Sequence, residues 1–416
     1  MTYDIVFFTL FRTDNPYSSI SLSMAKELAK TNRVFYVHHP YSWKDVVAGL
    51  LSGDKALRAR LPYLLAGRVR YEEFASIPRN FTAVQPPPVV PVNWLPKGRL
   101  YNFFRRINNE IVLRAIRKTL RDHDVRRYVY INCYDPFFAG VLPAGMGAAL
   151  CIYHCIDDIT QDPYTARHGE YLENEAIRRA GATFVTSSHL KKLKTPYSDR
   201  IVAYYNAADV AHFQKVVFEK YPRPKELQGH KGKVIGFIGN LDELRIDYPL
   251  LKKTAQAHPD KTLLLVGPVN SEEPRAIGLK GLPNVIFAGP RKPEDLPPLL
   301  QHMDCVLIPF RCNTLTKSIY PLKINEYLAA GKPVVSTAFS DDIRGFSGCI
   351  YLAENQEEFV GLIDKAATEN APTLVQRRVE TARSNSWEAR IRQLREVVDA
   401  RACQHAFLND CANAVQ

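Results

Sequence analysis

At 416 residues the chain is too long for one ordinary core and predicts two or three domains. Its 46% hydrophobic and 24% charged fractions are those of a soluble globular protein, and no run approaches the roughly 18 to 20 apolar residues of a membrane-spanning helix. The formal charge of +12 is uneven: residues 51–130 hold 16 Lys and Arg against 6 Asp and Glu, interleaved with aromatics, which suits an anionic membrane face or a nucleic acid.

The N-terminus, "MTYDIVFFTLF", has an acid where a signal peptide carries its basic region, so a cytoplasmic chain is expected. "DIVFFTL" reads as a buried strand, followed by the loop "FRTDNPYSSIS" and a helix with serine caps. In that loop Arg12, Asp14 and Ser18 have side chains suited to an acceptor or a diphosphate, although a turn and a helix cap account for the same residues. "RVFYVHH" is the next strand, and "QPPPVVPVNWLP" (85–96) is too proline-rich for regular structure and reads as an inserted loop.

In "RLYNFFRRINNEIVLRAIRKTLR" the apolar positions Leu100, Phe103, Phe104, Ile107, Ile111, Ala115 and Ile116 recur at helical spacing among arginines. The stripe either packs inside its own domain or rests on anionic lipid. "RRYVYINC", "ALCIYHCI" and "ATFVTSS" continue the strands. The run "ALCIYHCI" leads into Asp157 and Asp158, where one carboxylate is placed to take a proton from an acceptor hydroxyl while the other caps the next turn. His154 shares the face of Asp158 and joins the acceptor candidates. A zinc site of Cys151, His154 and Cys155 is disfavoured, because strand alternation puts His154 opposite the cysteines, and the eight scattered cysteines read as reduced thiols.

The polar stretch 214–232 reads as a linker between a first domain, 1–213, and a second, 233–387, with a closing helix (about 388–416) that packs back on the first. The second series, "VIGFIGN…TLLLVGP…NVIFAGP…CVLIPF…LKINEYLAAGKPVVST", again alternates strand and helix, so the expected architecture is two doubly wound α/β domains with ligands in the cleft at the strand carboxyl ends. In "TKSIYPLKINEYLAAGKPVVST", Pro321 suits the first helical position and Gly331 the left-handed one after the helix. Amides near Leu322 and Lys323 then lack a side-chain cap, a setting that attracts an anion, and Glu326 one turn on is placed to accept from ribose hydroxyls. An ordinary helix with solvated Lys and Glu has the same pattern.

Together these motifs, with "YYNAADVAHF" (204–213) and "SWEARIRQL", resemble the GT-B glycosyltransferases of the glycogen-synthase-like group (glycosyl transferases group 1) of bacterial polysaccharide assembly. The resemblance implies that Glu326 holds the nucleotide ribose, that Leu322 and Lys323 lie at the diphosphate, and that the backbone of Gly289 to Arg291 meets the base. It also marks two departures. Ser318 stands where the family often has a second Glu. "GNLDELRID" keeps Gly239, places Asn240 at the family's Arg, and Arg245 at its Lys, where a guanidinium can clamp two phosphate oxygens unless Asp242 or Asp247 pairs with it.

The function expected is transfer of a sugar from a nucleotide sugar to a hydroxyl of a membrane-associated glycan or lipid-linked acceptor. It needs no cofactor or metal, involves no nucleic acid, and has residues 51–130 as a possible contact with the inner face of the cytoplasmic membrane. The resemblance favours retention, whereas Ser318 in place of the Glu and the acidic pair Asp157 and Asp158 keep inversion with an Asp base open. The rivals are a nucleotide-sugar epimerase of the same fold and a non-catalytic basic protein that binds nucleic acid or membrane.

Overall fold

The computed structural model describes residues 3–13, 19–52, 55–74, 77–369 and 371–414. They fall into two units: residues up to Thr186, Leu190–Tyr204 and the chain from Ile391 form the first, while Ser187–His189 and Tyr205–Arg390 form the second.

In the first unit the strands are β1 (Asp4–Thr9), β2 (Val34–His38), β3 (Arg70–Glu72), β4 (Phe81–Gln85), β5 (Tyr128–Cys133), β6 (Leu150–Cys155), β7 (Ala182–Val185) and β8 (Ile201–Ala203). They lie in the order β3-β4-β2-β1-β5-β6-β7-β8, parallel except for β3 against β4. Helices cover both faces, which is why the strands read as unbroken apolar runs. Ser19 caps the helix Ile20–Ala29 by accepting from the Leu22 amide at 3.1 Å. From Ile391 onward the last helix packs on this unit, with Gln393 Nε2 donating to the Ala203 carbonyl at 2.8 Å and Arg401 to that of Gly181 at 3.2 Å.

The basic helix, Arg99–Asp122, buries Tyr101, Val112, Leu113 and Ile116. The expected stripe is thus sunk only in its second half: Leu100 is 57%, Phe103 58% and Ile107 40% exposed. The proline-rich segment is a loop, as read, bridged through Val89 to Ser42, just before the earlier helix Trp43–Ser52.

The second unit holds β9 (Val234–Ile238), β10 (Thr262–Val266), β11 (Val285–Gly289), β12 (Cys305–Ile308), β13 (Val334–Thr337) and β14 (Tyr351–Ala353), all parallel in the order β11-β10-β9-β12-β13-β14. The order reverses between β9 and β12, as it does between β1 and β5 in the first unit, and such switch points are where open α/β sheets bind ligands.

The linker reading needs correction. Helix Val210–Phe218, capped by Asp209, sends Val210, Phe213 and Val216 into the second unit's core, and Leu227 is buried there too. The division falls between Tyr204 and Tyr205 rather than after residue 213, because a polar composition masked an apolar face at helical spacing.

His154 is also corrected. It lies fully buried in β6, edge-on to Phe184 and Tyr204, with Nδ1 3.6 Å from Cys133 Sγ, so it belongs to the core and not to an acceptor surface. Among the described residues no group of three or more His, Cys, Asp or Glu is placed to hold a metal ion.

Loops after β9, β10 and β11 stack through glycines. Gly239 N–H donates to the Val266 carbonyl at 2.8 Å and Gly267 N–H to that of Gly289 at 3.0 Å. Gly267 has φ +146°, and a Cβ there would stand 1.7 Å from the Gly239 carbonyl oxygen. Gly267→Ala is therefore expected to destabilise the second unit by about 2 kcal/mol or more, and an unchanged denaturation midpoint would show that the loops part freely.

A second expectation concerns pH. Burial lowers the His154 pKa to about 3, against 6.5 for a free histidine. Between those values the unfolded chain binds a proton that the folded chain does not, so stability falls as pH drops, by up to about 1.4 kcal/mol per pH unit from this group. Urea midpoints at pH 7 and pH 5 should differ less for His154→Phe than for the wild type; an equal difference would assign the acid sensitivity elsewhere.

Candidate functional site

At the switch point of the second unit, β12 leads through the short turn Thr314–Lys317 into the helix Leu322–Ala329. Pro321 stands at the N-cap, one position before the one read from sequence, with φ −75° and ψ 97°, and no side chain caps the helix. Proline has no amide to lose and offers no side-chain acceptor, so the first amides of the helix stay uncapped by side chains. The helix is closed by Ala330, and Gly331 follows in the left-handed region at φ +68°.

Ile324, Tyr327 and Leu328 bury the inner face. The Tyr327 hydroxyl accepts from the Ile238 amide at 2.9 Å and donates to the Ile238 carbonyl at 3.2 Å, which fixes the helix to the end of β9. Asn325 Nδ2 donates to the Asn206 carbonyl at 3.1 Å. On the outer face Lys323 Nζ lies 2.8 Å from Glu326 Oε2, both side chains partly exposed, with Leu322 partly exposed beside them. The two charges thus meet each other on one turn, with the carboxylate the more buried of the pair.

After β9, Gly239 is half-buried and Asn240 exposed, its Oδ1 within 3.5 Å of Asn270 Nδ2. Arg245 is partly buried and forms no ion pair among the described residues, and its buried Nε has no hydrogen-bond partner there. The two acids that sequence proximity offers are otherwise engaged. Asp242 Oδ1 accepts from the Leu244 amide at 2.8 Å, while Asp247 caps the next helix through the Leu250 amide at 2.9 Å and accepts from Gln356 at 3.1 Å. A guanidinium with an idle N–H at a strand's carboxyl end is suited to an anion.

Two further donor candidates have their side chains engaged locally. Ser318 is buried and its hydroxyl donates to the Leu315 carbonyl at 2.7 Å, closing its own turn. The Arg291 side chain is held by an ion pair with Glu226 and by the Pro290 carbonyl at 3.0 Å, an arrangement that leaves the backbone reading of Gly289 to Arg291 as it was.

In the first unit the acidic pair separates. Asp158 is buried and caps the turn Ile159–Gln161: one oxygen accepts from the Thr160 amide at 3.1 Å and hydroxyl at 2.7 Å, the other from Gln161 Nε2 at 3.1 Å. It is a structural cap and not a base. Asp157 is partly buried, and its carbonyl accepts from Cys155 Sγ at 3.5 Å. Arg12 lies over the Tyr41 ring, 3.6 Å from its centroid. Asp14 and Ser18 lie outside the described residues.

Sequence reasoning missed a different pair. His39, the residue after β2, places Nδ1 2.6 Å from Oδ2 of Asp135, which follows β5 and is fully buried. His39 is 27% exposed and lines a cavity of about 240 Å³ with Trp94, Tyr101 and Tyr164. The strand-end rule that picked Asp157 and Asp158 applies equally to the second histidine of "YVHH" and to the acid of "NCYD", but no local spacing joins residues so far apart in the chain.

Residues 232–369 match the Glycosyl transferases group 1 family. TuaH of Bacillus subtilis (strain 168), described as a proposed teichuronic acid biosynthesis glycosyltransferase, is 29% identical over 232 residues, covering 53% of this chain and 57% of its own length. The chain therefore spans little more than half of that relative. Among solved structures, sucrose-phosphate synthase from Thermosynechococcus elongatus has a TM-score of 0.61 at 13% identity over 99% of this chain and all of its own. HepE of Anabaena, solved with UDP, scores 0.61 at 15% identity over 95% of this chain and 100% of its own. WaaG, a glycosyltransferase of lipopolysaccharide biosynthesis, scores 0.56 at 16% identity over 93% and 98%. Such identities speak to fold alone, whereas the family match speaks to the second unit, so the chain has the GT-B fold and carries a Glycosyl transferases group 1 domain over residues 232–369.

Proposed function

We propose that the protein is a glycosyltransferase that moves a sugar from a nucleotide-sugar donor to a hydroxyl of a glycan or lipid-linked acceptor. The observation that carries this is the second unit's switch point, where a side-chain-uncapped helix start bearing Lys323 and Glu326 follows β12 and Arg245, without an ion pair among the described residues, follows the adjacent β9. Transfer requires a departing diphosphate to be stabilised, and the amides at Leu322 and Lys323, the ammonium and the guanidinium supply that charge in this reading without a metal. Release of Lys323 towards phosphate leaves Glu326 to accept from the ribose hydroxyls. The stacked loop of Gly239 and Asn240 bounds the same place.

Calorimetry with UDP, GDP, dTDP and CDP in the presence of a chelator tests it. One nucleotide is expected to bind in the micromolar range, and Glu326→Ala and Arg245→Ala are each expected to weaken it at least about tenfold, roughly 1.4 kcal/mol. Equal binding by the variants would remove the donor site from this helix.

The acceptor is proposed to be presented at the inner face of an anionic membrane. Leu100, Phe103 and Ile107 form an exposed apolar row, Trp94 is 67% exposed nearby in sequence, and Lys97, Arg99 and Arg106 are exposed among them. Each basic residue near such a surface contributes about 1 kcal/mol. Sedimentation with phosphatidylglycerol vesicles is expected to carry the protein down, phosphatidylcholine vesicles and duplex DNA to leave it free, and Leu100→Ser/Phe103→Ser to lower vesicle binding about tenfold or more with nucleotide affinity unchanged. Equal partition of wild type and variant would discard this face.

A further inference from the structure

We infer that the first unit binds a lipid phosphate: Arg105 takes the phosphate of a sugar linked through phosphate to a single apolar chain, and the aromatic cavity beside it takes the start of that chain. Calling this ligand the acceptor rests on the transferase reading above, whereas the binding site itself lies wholly within the first unit.

Arg105 stands on the basic helix at the junction of two hollows. One is the cavity of about 240 Å³ walled by Trp94, Tyr101, Phe137 and Tyr164. The other, of about 160 Å³, is lined by Asn109, Glu175 and Arg179 and by the turn that follows β5. Arg105 and Phe137 border both. The reason lies in the sequence: Tyr101, Arg105 and Asn109 are spaced four apart on the helix Arg99–Asp122, so one row of side chains leads from the aromatic hollow through the guanidinium to the polar one.

The guanidinium is available to a ligand. It is partly buried, forms no ion pair or hydrogen bond among the described residues, and its Nε is buried without a partner there. The acids that line the two hollows are engaged elsewhere: Asp45 accepts from the Ser42 amide and hydroxyl at 2.8 Å each, and Glu175 lies 3.4 Å from Arg179. Asn109 Oδ1 accepts from the Ala139 amide at 2.8 Å, which leaves Nδ2 as a second donor one turn from Arg105. Phosphate oxygens accept from a guanidinium and an amide together, and the charge strengthens the bonds.

The cavity walls are pinned. Fully buried Asn108 holds Val90 of the proline-rich segment through both backbone groups, at 2.9 and 2.8 Å. His168, on the helix Pro163–Arg179, donates from Nε2 to the Leu95 carbonyl at 3.0 Å while its ring stacks on that of Tyr101 at 3.8 Å. Asn93 Nδ2 donates to the Tyr164 carbonyl at 3.0 Å. The proline-rich segment is thus fastened to two helices and closes one side of the cavity.

The class of ligand follows from what surrounds the guanidinium. Leu100, Phe103 and Ile107 are exposed on an adjoining face of the same helix, and Trp43, Val47 and Leu50 are exposed at helical spacing on Trp43–Ser52, whose Lys44 also lines the cavity. A chain leaving the cavity therefore meets apolar surface on either side while its charged end stays at Arg105. A cavity of this size is at the lower end for ligand sites and takes one chain segment, not the two of a phospholipid. His39, which lines the same cavity, spends its Nδ1 proton on Asp135 at 2.6 Å, so its Nε2 is left to accept from a sugar hydroxyl.

Decyl phosphate, decanol, inorganic phosphate and dioctanoyl-phosphatidylglycerol, each below its micelle concentration, are titrated into the full chain by calorimetry. Decyl phosphate is expected to bind in the micromolar range and the other three at least about tenfold more weakly. Arg105→Ala is expected to weaken decyl phosphate at least about tenfold, with decanol binding and nucleotide Kd unchanged. Arg105→Gln takes its place if the alanine variant fails to fold. Arg106→Ala, which removes the exposed neighbouring charge, is expected to lower partition onto phosphatidylglycerol vesicles and to change decyl phosphate affinity by less than about threefold. Four results would overturn the inference besides absence of decyl phosphate binding. Decanol binding equally well would mean an apolar cavity alone, and inorganic phosphate binding equally well an adventitious ion only. Equal affinity for the two-chain lipid would assign the site to bulk membrane, and equal losses from Arg105→Ala and Arg106→Ala would assign the binding to surface charge. Nucleotide binding is read separately: its absence in the wild type brings down the donor reading and the word acceptor, while the lipid-phosphate site stands or falls on the four probes.

Discussion

Parallel strands covered by helices on both faces leave no place along their length for an unpaired charge, and this constraint organises both units. Desolvating a lone ion costs several kcal/mol, so ionisable groups gather where strands end and backbone turns outward. Buried charges are paired: Glu173 and Lys194 meet at 2.6 Å in the first unit, with the Tyr153 hydroxyl donating to the same carboxylate at 3.0 Å, and Arg60 with Glu72 and Arg378 with Glu369 are likewise joined. Gly239, Arg245 and the start of the Lys323 helix all follow strand ends at one switch point, and His39 and Asp135 follow strand ends beside the other.

The architecture was legible because its signals are local. Unbroken apolar runs gave the central strands, and serine, proline and glycine at the right offsets gave the helix ends at Ser19, Pro321 and Gly331. The short strand β3 and the helix Val210–Phe218 escaped, the first for lack of length and the second because its three core residues sit in a polar sequence.

The site was legible in part, and its gaps have physical reasons. Whether Arg245 is free or paired depends on what Asp242 and Asp247 do, and both turn inward to backbone amides, a choice that composition does not reveal. Asp157 and Asp158 look alike in sequence; one hydroxyl and two N–H groups downstream make the second a cap. Strand alternation placed His154 on a face correctly but not at a depth, since both faces of this sheet are covered. His39 and Asp135 required the pairing of β1 with both β2 and β5 before their proximity existed at all.

The Tyr327 hydroxyl has a consequence beyond packing. By donating to one backbone group of Ile238 and accepting from the other, it does for the end of β9 what a neighbouring strand does along its length. The loop after β9 and the helix Leu322–Ala329 are thereby one mechanical piece, since displacing either breaks both bonds. Their relative geometry is settled during folding, so the ordering entropy that a hinged pair of elements surrenders when a ligand binds between them is not incurred here.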